Sequence, residues 1–164
     1  MKTAVVYYSL DGNCAYTAKL IGKILKADII NVQLTDEKKR NGIAKMFWGV
    51  MQVMSGKLPV IKPVNFDAEI YDLIILGTPV WASSPAPAMK AFLSQTKISG
   101  KKIALYMCHA GGLGNAMEKF RASLEGGSVI SEINLNNPVK FINLEKSKLE
   151  IETWAKDLYK TFTV

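Results

Sequence analysis

Apolar and polar residues alternate along the chain in two patterns, and together these patterns predict a sheet covered by helices. Five short runs are almost continuously apolar or rich in β-branched residues, as expected for strands in a buried sheet. These predicted strands span residues 3–8, 28–34, 70–77, 102–108 and 128–135. Between them, apolar residues recur every three or four positions, which is typical of amphipathic helices. The predicted helices span residues 15–26, 43–54, 88–93, 116–124 and 146–162.

The regular alternation of strands and helices predicts the fold class. It is typical of an α/β fold with one doubly wound parallel sheet and helices on both faces. We expect the whole chain, residues 1–164, to form one such domain. Proteins of this architecture bind ligands beside the carboxyl ends of their strands. Three unusual loops, at 9–14, 78–84 and 109–114, each follow a predicted strand, so we expect them to share that edge.

One predicted helix, 43–54, is apolar on nearly all of its faces. Met46, Trp48 and Val53 lie outside its main apolar stripe. A helix of this kind is covered on more than one side. It belongs to the deep core, or it forms a subunit contact or one wall of a ligand pocket. A homodimer through this helix is therefore one hypothesis.

Composition and charge limit the classes of function. The 164 residues are 49% hydrophobic, enough for a substantial core, and no apolar run approaches the ~20 residues of a membrane span. We expect neither a transmembrane segment nor a signal peptide. The two cysteines, Cys14 and Cys108, give no disulfide framework and no metal-binding spacing, so we expect reduced thiols, a cytoplasmic location and no metal site.

The net charge of +7 favours negatively charged partners. Acidic proteins, phosphorylated ligands, anionic lipids and nucleic acids all qualify. The sequence shows no interleaving of basic and aromatic residues and no recognition-helix pattern, so we do not expect nucleic-acid binding.

The first unusual loop joins the first strand directly to the first helix. It consists of Ser9, Leu10, Asp11, Gly12, Asn13 and Cys14. A helix N-terminus presents backbone N–H groups and the positive end of the helix dipole, so this turn could bind an anion such as a phosphate. Ser9 would add a hydroxyl donor and Asn13 an amide donor, and Gly12 would let the backbone approach a ligand closely. The alternative is an ordinary turn capped by Asp11 or Asn13.

The three loops together resemble those of the flavodoxin-like proteins, which bind FMN. The first is similar to the family's phosphate loop, Ser/Thr-x-Thr-Gly-Asn-Thr, and matches it at Ser9, Gly12 and Asn13. The second is similar to the loop in which an aromatic residue covers one face of the flavin; it contains Thr78, Pro79, Val80, Trp81 and Ala82. The third is similar to the family's glycine-rich loop; it contains His109, Ala110, Gly111, Gly112 and Gly114.

This resemblance runs in order through essentially the whole chain. It implies a five-stranded sheet of order 2-1-3-4-5 and an FMN molecule held by the residues of the three loops. Trp81 is the expected ring contact, with Thr78 and Pro79 beside it. The alternative for this loop is a proline-stiffened surface turn whose tryptophan packs into the core.

The phosphate loop departs from the family pattern at two positions. Asp11 and Cys14 stand where hydroxyl residues are common. Because a carboxylate repels a phosphate, we expect Asp11 to turn outward. Cys14 is expected to be a small residue that fills the turn, although its place at a helix N-terminus could instead lower the pKa of its thiol.

The glycine-rich loop departs from the pattern of many electron-carrying flavodoxins. It has no tyrosine to cover the second flavin face, so one face of the ring is expected to be open. His109 could hydrogen-bond the flavin or a substrate carbonyl, or it could be an ordinary solvated residue.

Two functions follow from the resemblance. The first is electron transfer through the flavin to a redox partner protein, although typical carriers of this family are acidic and this chain is basic. The alternative is an FMN-dependent oxidoreductase that passes two electrons to a quinone or another small acceptor across the open face.

Overall fold

The computed structural model describes residues 1–36, 51 and 53–163. Strands and helices are numbered along this part of the chain. The strands are β1 (Thr3–Tyr7), β2 (Asp28–Asn31), β3 (Leu73–Trp81), β4 (Ser84–Pro85), β5 (Lys102–His109) and β6 (Ser128–Asn136). The helices are α1 (Asn13–Leu25), α2 (Pro87–Ser94), α3 (Ala116–Ala122) and α4 (Leu144–Thr163), and short 3-10 turns occupy Ala68–Ile70 and Phe141–Asn143.

Five parallel strands form the sheet in the order β2-β1-β3-β5-β6. Counted among the parallel strands alone, this order is 2-1-3-4-5. The predicted fold class and strand order are therefore confirmed. The short strand β4 is an addition that pairs antiparallel with the end of β3.

The sequence-based boundaries were wrong at two strands. The second strand ends at Asn31, and Leu34 makes an isolated bridge to Ile61 instead. The third strand does not stop at residue 77 but continues to Trp81, so most of the predicted loop 78–84 is extended chain. Its prolines suggested a break, but proline is tolerated near the ends of strands, and Pro79 pairs in register with Cys108 of β5.

The predicted helix 43–54 falls largely outside the described residues. The hypothesis of a dimer through this helix falls outside them as well and stays a prediction.

The central strands are buried on both faces, as their apolar runs predict. Alternate residues of each strand point to opposite sides, so two separate hydrophobic clusters form. Helices α2 and α3 cover one side, where they pack on residues such as Leu76 and Leu105. Helices α1 and α4 cover the other, where Ile75 and Ala104 lie. The connecting loops lie at the carboxyl ends of the strands.

A buried tyrosine attaches the start of α1 to the centre of the sheet. The Tyr106 side chain is completely buried, and its hydroxyl donates a hydrogen bond to the backbone carbonyl of Cys14 over 3.0 Å. Burial raises the pKa of Tyr106 well above its usual range, so the hydroxyl stays protonated and remains a donor. Gly77 of β3 makes room for the ring, since a Cβ at this position would overlap it.

We predict that Gly77→Ala destabilises the fold by about 1–3 kcal/mol, because the added methyl group overpacks the core against the Tyr106 ring. Urea unfolding followed by circular dichroism measures this change. Gly111→Ala is the matched control, because a Cβ there meets no atom within 4 Å. Equal stability of the two variants would contradict the prediction.

Candidate functional site

The loop between β1 and α1 has the geometry of an anion site. Gly12, at the helix N-cap, has a φ of 84°, a left-handed conformation that favours glycine. The N-cap residue is a glycine and has no side chain that could cap the helix. The first backbone N–H groups of this 13-residue helix and the positive end of its dipole therefore face the turn. Asn13 lies inside the helix and its Oδ1 accepts a hydrogen bond from Val139, so the alternative that Asn13 caps this turn is wrong. The alternative that Asp11 caps it stays a prediction.

Two orphaned polar atoms lie in the predicted loops. Ser9 Oγ and His109 Nδ1 are buried and make no hydrogen bond with the described residues. The other atom of this kind in that part of the chain, Thr3 Oγ1, lies at the opposite end of β1. Native proteins rarely leave buried polar groups without a partner, so Ser9 Oγ and His109 Nδ1 are suited to bind a ligand.

The Asn13 side chain links the first loop to the segment after β6. Its Oδ1 accepts a hydrogen bond from the backbone N–H of Val139 at 3.3 Å. The amide oxygen is therefore engaged by the protein, and the amide nitrogen remains a donor for an anion. The role of Asn13 as an amide donor to a phosphate stays a prediction.

Asp11 and Cys14 differ in their surroundings. Asp11 is exposed, in agreement with the expectation that it turns outward. Cys14 is only 1% exposed and packs in the cluster beneath α1 and α4. Burial raises the pKa of the Cys14 thiol well above its usual range, and the neighbouring Cys108 thiol adds to the increase. The alternative of a lowered thiol pKa is therefore wrong, because burial outweighs the effect of the helix N-terminus.

The second predicted loop is a β-hairpin. Thr78 is buried, and its Oγ1 accepts a hydrogen bond from the Ala86 N–H at 3.0 Å and donates one to the Pro79 carbonyl at 3.2 Å. At the turn, Ala82 and Ser83 have φ values of 45° and 51°. Left-handed conformation at two successive residues is typical of a two-residue hairpin turn but is strained for residues other than glycine. The side chain of Thr78 thus holds the hairpin in place.

Trp81 stands at the end of β3 beside the first loop. Its half-buried ring meets the buried Tyr8 ring edge to face, with centroids 5.7 Å apart. The Tyr8 N–H in turn donates to the Gly77 carbonyl over 3.0 Å. The tryptophan is therefore held firmly and keeps part of its surface open to solvent. The alternative, a tryptophan packed into the core, is therefore correct only for the buried part of the Trp81 ring.

The glycine-rich loop touches the hairpin. Gly114, with a φ of 52°, lies so close to Ser83 that a Cβ would overlap its side chain. The Lys119 ammonium donates to the Ser83 carbonyl over 2.9 Å. His109 Nε2 lies 3.4 Å from Asn134 Oδ1, and the His109 carbonyl accepts the Asn137 N–H at 2.9 Å.

The structure thus brings the predicted residues to one edge of the sheet. Direct contacts join the hairpin to the glycine-rich loop and to Tyr8, and the segment after β6 joins the other two loops through Asn13 and His109. Within the glycine-rich loop, Ala110, Gly111 and Gly112 are exposed. Leu10 and Val80 are partly buried and pack against the hydrophobic cluster that α2 and α3 cover.

Sequence reasoning missed three supporting features. Tyr8 supports Trp81, Tyr106 holds the start of α1, and the segment 134–139 joins two loops. A tyrosine within a buried strand was a usable signal, because its hydroxyl needs a partner. The asparagines that end β6 were another, since they lie at the same edge as the three loops.

Some other kinds of site are not seen in the part of the chain that the structure describes. There, no group of three His, Cys, Asp or Glu side chains could hold a metal ion. Among the described helices, none is both long and apolar enough to cross a membrane.

We predict that Cys14 and Cys108 react slowly with Ellman's reagent in the native protein and promptly after denaturation. Both thiols are buried, and the raised pKa of Cys14 reduces its thiolate fraction at neutral pH. An Ala110→Cys variant gives an exposed reference thiol on the same fold. Labelling of either native cysteine as fast as this reference would contradict the prediction.

Comparison with proteins of known structure supports the fold described above. The flavoprotein of Lactobacillus acidophilus NCFM, solved in complex with FMN, is 25% identical to this chain, with a TM-score of 0.72 over 94% of this chain and 98% of its own. Two others share the fold. The WrbA-like flavodoxin of Agrobacterium tumefaciens is 17% identical, with a TM-score of 0.62 over 97% of this chain and 98% of its own. Megasphaera elsdenii flavodoxin is 21% identical, with a TM-score of 0.57 over 94% and 98%.

None of the curated proteins matches the sequence significantly. The sequence model described as flavodoxin, however, matches residues 2–158, nearly the whole chain. With the parallel sheet and the three loops gathered at its carboxyl edge, this match shows that the chain belongs to the flavodoxin family.

Proposed function

We propose that this protein binds FMN at the carboxyl edge of its sheet and transfers electrons through the flavin. The observation that carries the proposal is Ser9 Oγ, a buried hydroxyl that has no hydrogen-bond partner among the described residues and lies beside the N-terminus of α1. A phosphate group would satisfy both features. FMN is also the cofactor expected from family membership, and the similar Lactobacillus flavoprotein was solved with FMN.

The residues of the first loop would hold the phosphate. Ser9 offers a hydroxyl, Asn13 an amide nitrogen, and the first turn of α1 its backbone N–H groups. All are neutral donors, and the N–H groups of α1 are held in place by the helix before the anion arrives. Because Asp11 is exposed, its carboxylate can stay in water while the phosphate binds.

The other two loops would hold the flavin ring. Trp81 offers an aromatic surface that Tyr8 supports from the side, and the backbone of the hairpin is held in one conformation by Thr78. His109 brings a buried nitrogen that accepts a hydrogen bond when Nε2 donates to Asn134. When bound, the flavin supplies one-electron and two-electron redox chemistry. The protein's own contribution is to position the ring and to limit its access to water.

A second candidate is a two-electron oxidoreductase acting on a quinone or another small acceptor. The observation in its favour is the exposed stretch Ala110, Gly111 and Gly112, which has no aromatic side chain to cover a ring. The positive net charge also distinguishes this chain from typical acidic carriers. Both candidates use the same FMN site and differ in how electrons leave it.

We predict that Ser9→Ala raises the Kd for FMN by about ten-fold or more, because it removes one hydrogen bond to a charged group, worth about 1.5–3 kcal/mol. Fluorescence titration of the apoprotein measures the Kd. Since Ser9 Oγ makes no hydrogen bond with the described residues, the free energy of unfolding without FMN should hardly change.

The companion variant Asp11→Thr introduces the hydroxyl common at this position in the family. It should leave the affinity for FMN unchanged or improve it. A large loss would mean that the protein uses this carboxylate. An unchanged affinity in Ser9→Ala would remove Ser9 from the site, and failure of the parent protein to bind FMN would overturn the proposal.

The route of electron transfer is tested by stepwise anaerobic reduction of the FMN-loaded protein, followed by absorbance. For an electron carrier we expect the spectra to require three species, because the two electrons enter in separate steps. Spectra that fit two species throughout, together with rapid reoxidation by a soluble quinone, would favour the oxidoreductase instead.

A further inference from the structure

The segment between β6 and α4 carries an exposed apolar tip. Phe141 is 95% exposed, Ile142 79% and Val139 41%, and Leu149 of α4 is 67% exposed. Bulky apolar side chains scattered singly over a surface need no explanation, but neighbouring ones at such exposure indicate an interaction site. Val139, Phe141 and Ile142 are neighbours along the chain, and we define these three residues as the apolar tip.

Hydrogen bonds hold the backbone of this tip in place. The N–H groups of Lys140 and Asn143 donate to the carbonyls of Asn137 and Lys140 at 2.9 and 2.8 Å. Asn143 Nδ2 donates to the Asn136 carbonyl at 2.7 Å, and the Val139 N–H donates to Asn13 Oδ1. Phe141 and Ile142 are therefore presented to solvent by a braced turn.

The charge around the tip is weakly positive. Three lysines, Lys140, Lys146 and Lys148, stand against two acidic residues, Glu145 and Glu150. Lys146 and Glu150 pair at 3.8 Å. The whole chain carries +7, so an anionic surface attracts it at longer range.

We infer that the apolar tip inserts shallowly into an anionic lipid surface. The net charge of +7 and the excess of lysine over acidic residues along 139–150 favour an anionic partner. A bilayer has no fixed shape to match, and it accepts protruding aromatic and aliphatic side chains while lysines meet its headgroups. Neither Phe141 nor Ile142 is among the residues proposed to hold FMN, so this inference does not depend on the proposed function.

Vesicle sedimentation with the full chain tests the inference. The vesicles contain equal parts of phosphatidylcholine and phosphatidylserine, with pure phosphatidylcholine for comparison. We expect the parent protein to bind the mixed vesicles more tightly, and Phe141→Ser/Ile142→Ser to lose about ten-fold or more of the partition coefficient. The matched control is Ile70→Ser, which removes a 47% exposed isoleucine near the start of β3, at the opposite edge of the sheet.

Three results would overturn the inference. They are the absence of binding by the parent, equal binding by the parent and the double variant, and equal losses in the double variant and Ile70→Ser. Light scattering gives a fourth: a parent dimer that the double variant abolishes would assign the tip to a second copy of the chain. An unchanged far-ultraviolet circular dichroism spectrum and FMN affinity show that the double variant is folded.

Discussion

The hydrogen bond from the Tyr106 hydroxyl to the Cys14 carbonyl is the constraint on which the site depends. This bond links β5 to the first turn of α1. The Tyr106 ring passes over β3, where it fits only because Gly77 has no side chain. Because a buried hydroxyl needs a hydrogen-bond partner, this bond fixes the distance between the first turn of α1 and the sheet. The turn that precedes the helix, with Ser9 and Gly12, is thereby placed against the carboxyl ends of the central strands.

Much of the fold was predictable from the sequence because burial of the parallel strands on both faces leaves apolar runs that are easily recognised. The β4 hairpin was not predictable. Its turn residues, Ala82 and Ser83, carry none of the glycine or asparagine signals of a left-handed turn. Ser83 also contacts Gly114 and Lys119, which are far away in sequence. Local propensity cannot report such contacts.

The same distinction between local signals and long-range contacts applies to the candidate site. The turn with Ser9, Gly12 and Asn13 at the start of α1 was predictable because strand, turn and helix are contiguous in the sequence. The bond from Val139 to Asn13 was not predictable, because 126 positions separate the two residues. Predicting the pKa of Cys14 requires the burial of its side chain as well as its place at the helix N-terminus. The helix N-terminus is visible in the sequence, but burial against Cys108 depends on the packed sheet.

The amide of Asn13 has a wider consequence, because one rigid planar group joins the phosphate loop to the turn that carries the apolar tip. A ligand that fixes its nitrogen end also restricts its oxygen end, and so restricts Val139. Thermodynamic reciprocity then requires that whatever steadies this turn also favours the ligand, by the same factor. If FMN binds at Asn13 and a lipid surface binds at the apolar tip, the two ends of this side chain would let each one influence the affinity for the other.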